Sequence, residues 1–241
     1  MIDILKILLE EKNMNYKGGL YHETQIKLAY NSNRIEGSNL SEEQTRFMYE
    51  TSSVLPENGD CIKTDDIVEM NNHFFLFNKM LDYSNQKLSH EIIKEYHCLL
   101  KRGTSDERKD WFAVGDYKKV PNVVGGIETS LPENVESDMQ DLFDEYYKNK
   151  NFDLNKIIDF HVKFERIHPF QDGNGRVGRI IMFGECLKNN IMPFIIQDKN
   201  KAFYYRGLQE YPRERGFLRD TCLHEQDVYE ERVKYFYRGR I

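Results

Sequence analysis

Apolar positions three and four residues apart dominate this chain. Ile67, Met70, Phe74, Phe77 and Leu81 form one such stripe and predict a helix over 64–82 with a buried face. Residues 88–101 repeat the pattern behind Ser89 as an N-cap. Leu154, Ile157, Ile158, His161, Val162 and Glu165 carry it again, and Ile180, Ile181, Phe183, Gly184 and Leu187 suit a further buried helix. Further helices are expected over 2–12, from His22 to about Ile35, after Ser41 (whose spacing to Gln44 is that of a capping box), near 199–211 and near 216–236. Gly18-Gly19 marks a turn, and Val54–Asp60, with Pro and Gly, reads as a loop. One stretch breaks the helical rhythm. In Val120–Thr129, Val123, Val124 and Ile127 flank Gly125-Gly126, a pattern that suits a two-residue hairpin and equally a plain surface loop.

Composition narrows the class. Hydrophobic residues make up 39% of the chain and charged residues 31%, the balance of a soluble globular protein. Net charge is −6 with no concentrated basic tract, which disfavours a nucleic-acid partner. No apolar run approaches the roughly 20 residues that span a bilayer, and Asp3 and Lys6 make the first helix too polar for a signal peptide. Cys61, Cys98, Cys186 and Cys222 are far apart; Cys98 and Cys186 fall on apolar helix faces and are expected as reduced core thiols. A cytoplasmic enzyme is the expectation.

Candidate chemistry concentrates in Ile167–Arg179. Pro169 should stop the preceding helix at about His168. Gly173 and Gly175 around Asn174 let backbone N–H groups turn inward as an anion nest, and the start of the next helix adds its positive dipole end. Arg176 and Arg179 fall in the first turns of that helix and could donate paired hydrogen bonds to phosphate. Asp172 offers a carboxylate to a hard divalent cation, and His168 a base near neutrality. A Gly-Asn-Gly connection between helices is by itself common; the parts together describe a phosphate site.

The stretch resembles the signature of the Fic (filamentation induced by cAMP) domain family, H-x-F-x-(D/E)-G-N-G-R-x-x-R, and fills every fixed position. The resemblance implies an all-α, Fic-type helical bundle with one small β-hairpin flap at Val124, Gly125, Gly126 and Ile127, ahead of a helix at Pro132–Lys148. It further implies transfer of AMP from ATP to a Ser, Thr or Tyr hydroxyl of a target protein (the chain itself among the candidates), with Mg²⁺ or alternatively Mn²⁺. By this carry-over His168 is the base, Asp172 the metal ligand, Asn174 an α-phosphate contact and Arg179 a contact to the distal phosphates. Phe170 anchors the loop, the flap aligns the target strand, and Tyr204 and Tyr205 line the adenine side. The Fic core is expected over 64–211, an N-terminal regulatory region over 1–63, and a packing or oligomer helix within 212–241.

Ser32-Asn33-Arg34-Ile35-Glu36-Gly37 carries a second motif. Ser32 and Glu36, four apart, share a helix face, a spacing that alone fits a solvated surface. Beside the first motif it resembles the (S/T)-x-x-x-E-(G/N) inhibitory helix of the family, whose glutamate pairs with the second signature arginine, here Arg179. Competing readings are removal of AMP by the same site, phosphate transfer to a protein hydroxyl, and a nucleotide-binding regulatory module without turnover. Self-association is a further implication of the family.

Overall fold

A computed structural model describes residues 3–55 and 61–237. Ile2 of the first expected helix and positions 56–60 of the expected Val54–Asp60 loop lie outside the described residues. Ten α-helices follow in order among the described residues: α1 (Ile4–Asn13), α2 (Leu20–Ile35), α3 (Glu42–Thr51), α4 (Thr64–Asp82), α5 (His90–Lys101), α6 (Val135–Lys148), α7 (Leu154–Ile167), α8 (Asn174–Lys188), α9 (Lys201–Glu210) and α10 (Gly216–Phe236). Between α5 and α6 lies a hairpin of β1 (Val123–Val124) and β2 (Ile127–Glu128), with Val124 opposite Ile127.

The caps follow from sequence. Ser41 and Gln44 exchange both bonds of a capping box at the start of α3, and Ser89 accepts from Ile92 N at the start of α5. The hairpin turns on Gly125 and Gly126, both at positive φ, which removes the alternative of a plain loop. Its strands are only two residues each and Val123 and Val124 are exposed, so side chains at its roots must hold it in place.

The main core joins α4, α5, α6, α7, α8 and α10 through Phe77, Leu100, Phe143, Phe164, Val177, Ile180 and Tyr229, all at most 5% exposed. The helix α8, buried on nearly every side, runs through the middle. Most of α2 is buried as well, including the polar Gln25, Asn31, Ser32 and Asn33. A helix with that many buried polar groups must spend them on specific partners. The last helix belongs to this core: Tyr229 of α10 hydrogen-bonds to Thr24 of α2 at 2.8 Å.

One expectation fails here. Cys186 and Cys222 are buried free thiols, but Cys98 is exposed. The buried face of α5 is formed by Ile92, Ile93, Tyr96, His97 and Leu100, and Cys98 sits one helical step outside it.

Candidate active site

The loop between α7 and α8 is fixed from both ends. Its first residue, His168, caps α7 in the left-handed region (φ 51°), with its N–H donating to Phe164 O at 2.9 Å. A non-glycine residue held there stores local strain, as functional residues often do. Phe170 is fully buried and stacks on His97 at 4.0 Å between ring centroids. Gly173, at φ +82°, N-caps α8 where an added Cβ would press on Leu100. Asn174 closes the loop: its Oδ1 accepts from Phe170 N and its Nδ2 donates to Phe170 O, both at 2.8 Å. Its side chain is 1% exposed and committed to the loop, so only its backbone N–H is available to an anion. The opening N–H groups of α8 have no intrahelical acceptors and form the cradle.

His168 Nδ1 lies 3.3 Å from Glu165 O. The carbonyl can only accept, so Nδ1 carries the proton and Nε2 keeps its lone pair. Burial, then the nearby Lys118 ammonium, push the imidazole down to about 4, so it is neutral at physiological pH. The expected base near neutrality is thus more strongly held in its proton-accepting form than its residue type alone implies.

Asp172 and Arg176 sit in a charged cluster. Asp172 Oδ2 accepts from Lys101 Nζ at 2.7 Å and from Arg176 Nη2 at 3.0 Å. Against the penalty of burial, these two cations hold the Asp172 carboxyl well below the usual carboxylate range. Arg176 also pairs with Glu69 and donates to Asn33 Oδ1 at 3.4 Å. At 3% exposure it organises the loop and ties α8 to α4 and α2, its donors engaged by these partners. Lys101, 2% exposed, places its ammonium 2.5 Å from both Glu69 and Asp106. The oxygens of Glu69, Asp106 and Asp172 lie within 4.8 Å of one another, so they already surround one tethered cation. Asp172 is still half-exposed. These residues fit a hard cation that arrives on a nucleotide and takes one carboxylate oxygen, not a cation caged by protein.

Arg179 is the meeting point of the two motifs. Its Nε donates to Ser32 Oγ at 3.0 Å, and its Nη2 to Ser32 O at 2.9 Å and to Glu36 Oε1 at 2.6 Å. The pairing uses a single carboxylate oxygen reinforced by serine, not the two-oxygen fork that a guanidinium can form. Gly175 permits it: a Cβ there would collide with the Glu36 carboxylate and come within 2.9 Å of Arg179 Nη1. The Arg179 Nη1 atom is buried and has no partner among the described residues.

Beside the loop opens a cleft of about 330 Å³, lined by Val124, Gly125, Thr129, Val162, Glu165, Arg166, Tyr205, Leu208 and Gln209. Its size and apolar walls suit a small planar ligand. Tyr205 lines it and donates to Ile35 O at 3.3 Å, next to Glu36. Tyr204 does not line it. Its hydroxyl is bonded to His161 Nε2 at 2.7 Å beneath the surface, and the ring lies under the Arg179 guanidinium. Val124, Gly125 and Gly126 are exposed at the flap, and Ile127 takes its place in β2.

Reasoning from sequence missed Glu69, Lys101, Lys118 and the chemistry of Glu165. Burial pushes the Glu165 carboxyl up to about 8, Arg179 opposing and Glu36 adding, so a protonated acid borders the cleft. Its signal was a carboxylate on the apolar face of α7; Lys101 at the end of the α5 stripe carried a similar one. The arrangement as a whole can cradle a polyphosphate, hold a neutral imidazole at its lip and block one arginine with an internal carboxylate.

Residues 87–184 match the sequence model of the Fic/DOC family. The protein adenylyltransferase Fic of Nematostella vectensis is 25% identical over 192 residues, covering 78% of this chain and 43% of that protein. The protein adenylyltransferase fic-1 of Caenorhabditis elegans is 27% identical over 197 residues, covering 78% and 37%. The chain thus spans less than half the length of these curated relatives. Among solved structures, a Fic-domain-containing signalling protein from Bacteroides thetaiotaomicron superposes with a TM-score of 0.73 at 20% identity, covering 93% of this chain and 92% of that one. A Fic family protein from Desulfovibrio desulfuricans gives 0.73 at 23% identity, covering 97% and 73%.

Proposed function

The chain carries a Fic/DOC domain, and on that premise we propose that it is a protein adenylyltransferase held in check by its own α2. The single observation that carries the reading is the Glu36–Arg179 contact at 2.6 Å across the mouth of the α8 cradle. A charge-assisted hydrogen bond there takes the donor that the distal phosphates of ATP need, so a triphosphate is kept out of its productive pose.

With Glu36 withdrawn, the triphosphate lies over the N–H groups at the start of α8, and the adenine enters the cleft beside Tyr205. These fixed dipoles stabilise charge as it develops without reorganising. A target hydroxyl, brought in on the flap by strand addition, attacks the α-phosphorus in line. Its oxygen bonds to phosphorus as the bond to pyrophosphate breaks, and its proton passes to Nε2 of His168. Mg²⁺ bound with the nucleotide and held by Asp172 supplies charge neutralisation. Residues 64–211 form the catalytic core in this reading and 1–63 the regulatory extension; a cytoplasmic location, self-association through 212–241 and preference for Mg²⁺ over Mn²⁺ belong to the same reading. Mass spectrometry of a cell lysate treated with ATP and the Glu36→Gly variant tests it. Adenylate on a Ser, Thr or Tyr of a defined protein supports it, and its absence in every fraction rejects it.

A second activity has one observation in its favour. The Glu36 carboxylate lies against Gly175, over the cradle, where it could orient a water toward a bound adenylyl group. Release of AMP from a modified target in the presence of metal and absence of ATP is the corresponding assay.

A further inference from the structure

Lys118 lies outside both motifs and is only 3% exposed. Its ammonium donates to Asn122 Oδ1 and to Thr129 Oγ1, each at 2.7 Å, and to Ile167 O at 3.3 Å. Its backbone N–H donates to Pro169 O at 2.8 Å. Asn122 and Thr129 are the residues just outside β1 and β2, so they are the two roots of the flap. Thr129 Oγ1 lies 2.9 Å from Asn122 O, and Asn122 Nδ2 donates onward to Phe170 O at 3.2 Å. Ile167 is the last residue of α7, and the next residue is His168. One buried cation therefore joins both roots of a two-residue-strand hairpin to the helix end that presents the base.

The choice of a lysine is physically costly. Among the described residues no carboxylate lies within ion-pair distance of Nζ, and burial pushes the ammonium down to about 8, with only Asp138 opposing. What meets its charge instead is the negative end of the α7 dipole and three oxygen acceptors. A hairpin this short cannot hold its own position. We propose that Lys118 is a positioning residue for transfer, pinning both flap roots to the carbonyl end of α7 so that a strand added to the flap reaches the His168 imidazole in one register.

The second half of this statement rests on the adenylyltransferase reading; the anchoring itself does not. The charged groups facing His168 are Lys118, Asp172 and Glu36, and Lys118 is the one whose charge disfavours the imidazolium. Its removal should therefore act on the base as well as on the flap.

The test uses the full chain with Lys118→Met, which keeps the stem and loses the donors, and Thr129→Val, which removes one acceptor at the half-buried root. Hydrogen exchange in the absence of nucleotide should accelerate at least tenfold at amides 122–129 in Lys118→Met and less in Thr129→Val, with α7 and α8 amides unchanged. The His168 C2–H titration should move to higher pH in Lys118→Met only. Where target transfer is measurable, kcat/KM for the target should fall at least tenfold with the affinity for ATP unchanged, and Lys118→Arg should recover part of it. Unchanged exchange at the flap in both variants overturns the anchoring, as does an equal acceleration throughout α7 and α8. Accelerated flap exchange in a protein that adenylylates nothing sustains the anchor and counts against the adenylyltransferase reading alone.

Discussion

Arg179 on α8 and Glu36 at the end of α2 are 143 positions apart in sequence and meet at 2.6 Å. Ser32, one turn earlier on α2, binds the same guanidinium at 3.0 Å. Arg179 is 4% exposed, so a competing phosphate must displace both residues together or enter in another pose. Hydrogen bonds to charged groups are worth about 1.5–3 kcal/mol each, which is roughly a ten- to hundredfold effect on a competing equilibrium. Glu36→Gly is therefore expected to raise AMP transfer by at least tenfold, and Ser32→Ala by less. Initial rates with a fixed target or in autotransfer check this; equal rates in Glu36→Gly and the unmodified protein would remove the inhibitory role of α2.

His168→Ala should abolish transfer while leaving nucleotide affinity within about threefold. Loss of a positioned base costs roughly a hundred- to ten-thousandfold in rate, and the cradle of α8 backbone does not depend on the imidazole. Calorimetric titration with a non-hydrolysable ATP analogue, made in the Glu36→Gly background, separates the two effects. A comparable loss of binding would move His168 from chemistry to structure.

Lys101 makes a different forecast. Its ammonium touches Glu69, Asp106 and Asp172 and is 2% exposed. Breaking a buried ion pair by removing one partner leaves uncompensated charge and costs about 3–5 kcal/mol. Lys101→Met should lower stability by that amount in urea unfolding. Added Ca²⁺ should recover part of it, because the oxygens of Glu69, Asp106 and Asp172 then face the position that the ammonium vacated. A loss below about 1 kcal/mol would mean that the cluster is hydrated and weak.

Acidification should destabilise the fold before the carboxylates titrate. Burial pushes His73, His97 and His161 down to about 3 and His168 to about 4, so the unfolded chain takes up these protons first as pH falls through 6.5. Glu165 acts in the opposite sense: raised to about 8, it binds its proton in the folded state and adds stability as pH falls between 8 and 4.5. From pH 6.5 to 5.5 the four histidines lose about 1 kcal/mol each and Glu165 returns about 1.4, a net loss of roughly 2–3 kcal/mol. The urea midpoint at the two pH values measures it. A midpoint that is flat or rises would show that these imidazoles are solvated.

How much of this was legible in the chain depends on what kind of contact is asked about. Helices such as α4 and α5 announce themselves because one face repeats at 3.6 residues and because Ser89 marks a start. The loop from His168 to Arg179 was legible as a set of residue types, yet the use of each was not. Asn174 and Arg176 look like phosphate ligands in sequence, but the fold spends their side chains on Phe170, Glu69 and Asp172. Tyr204 and Tyr205 are adjacent, so helix rotation turns one toward Arg179 and the other toward the cleft. Cys98 was misplaced by the same single step of rotation. Lys118, in a loop without periodicity, carried no signal, because its meaning comes from three acceptors contributed by separate segments. Periodicity reports which face is buried; it does not report which buried polar group finds which partner.

In the proposed function the α8 cradle presents the innermost phosphate of ATP to an alcohol. To test this, the Glu36→Gly variant is given, with a cell extract, ATP labelled at either the α- or the γ-phosphate. Label from the α position on protein, absent with γ-label and absent from a Glu36→Gly/His168→Ala double variant, is the expected result. Protein labelled from the γ position, or α-label that persists without His168, would contradict it.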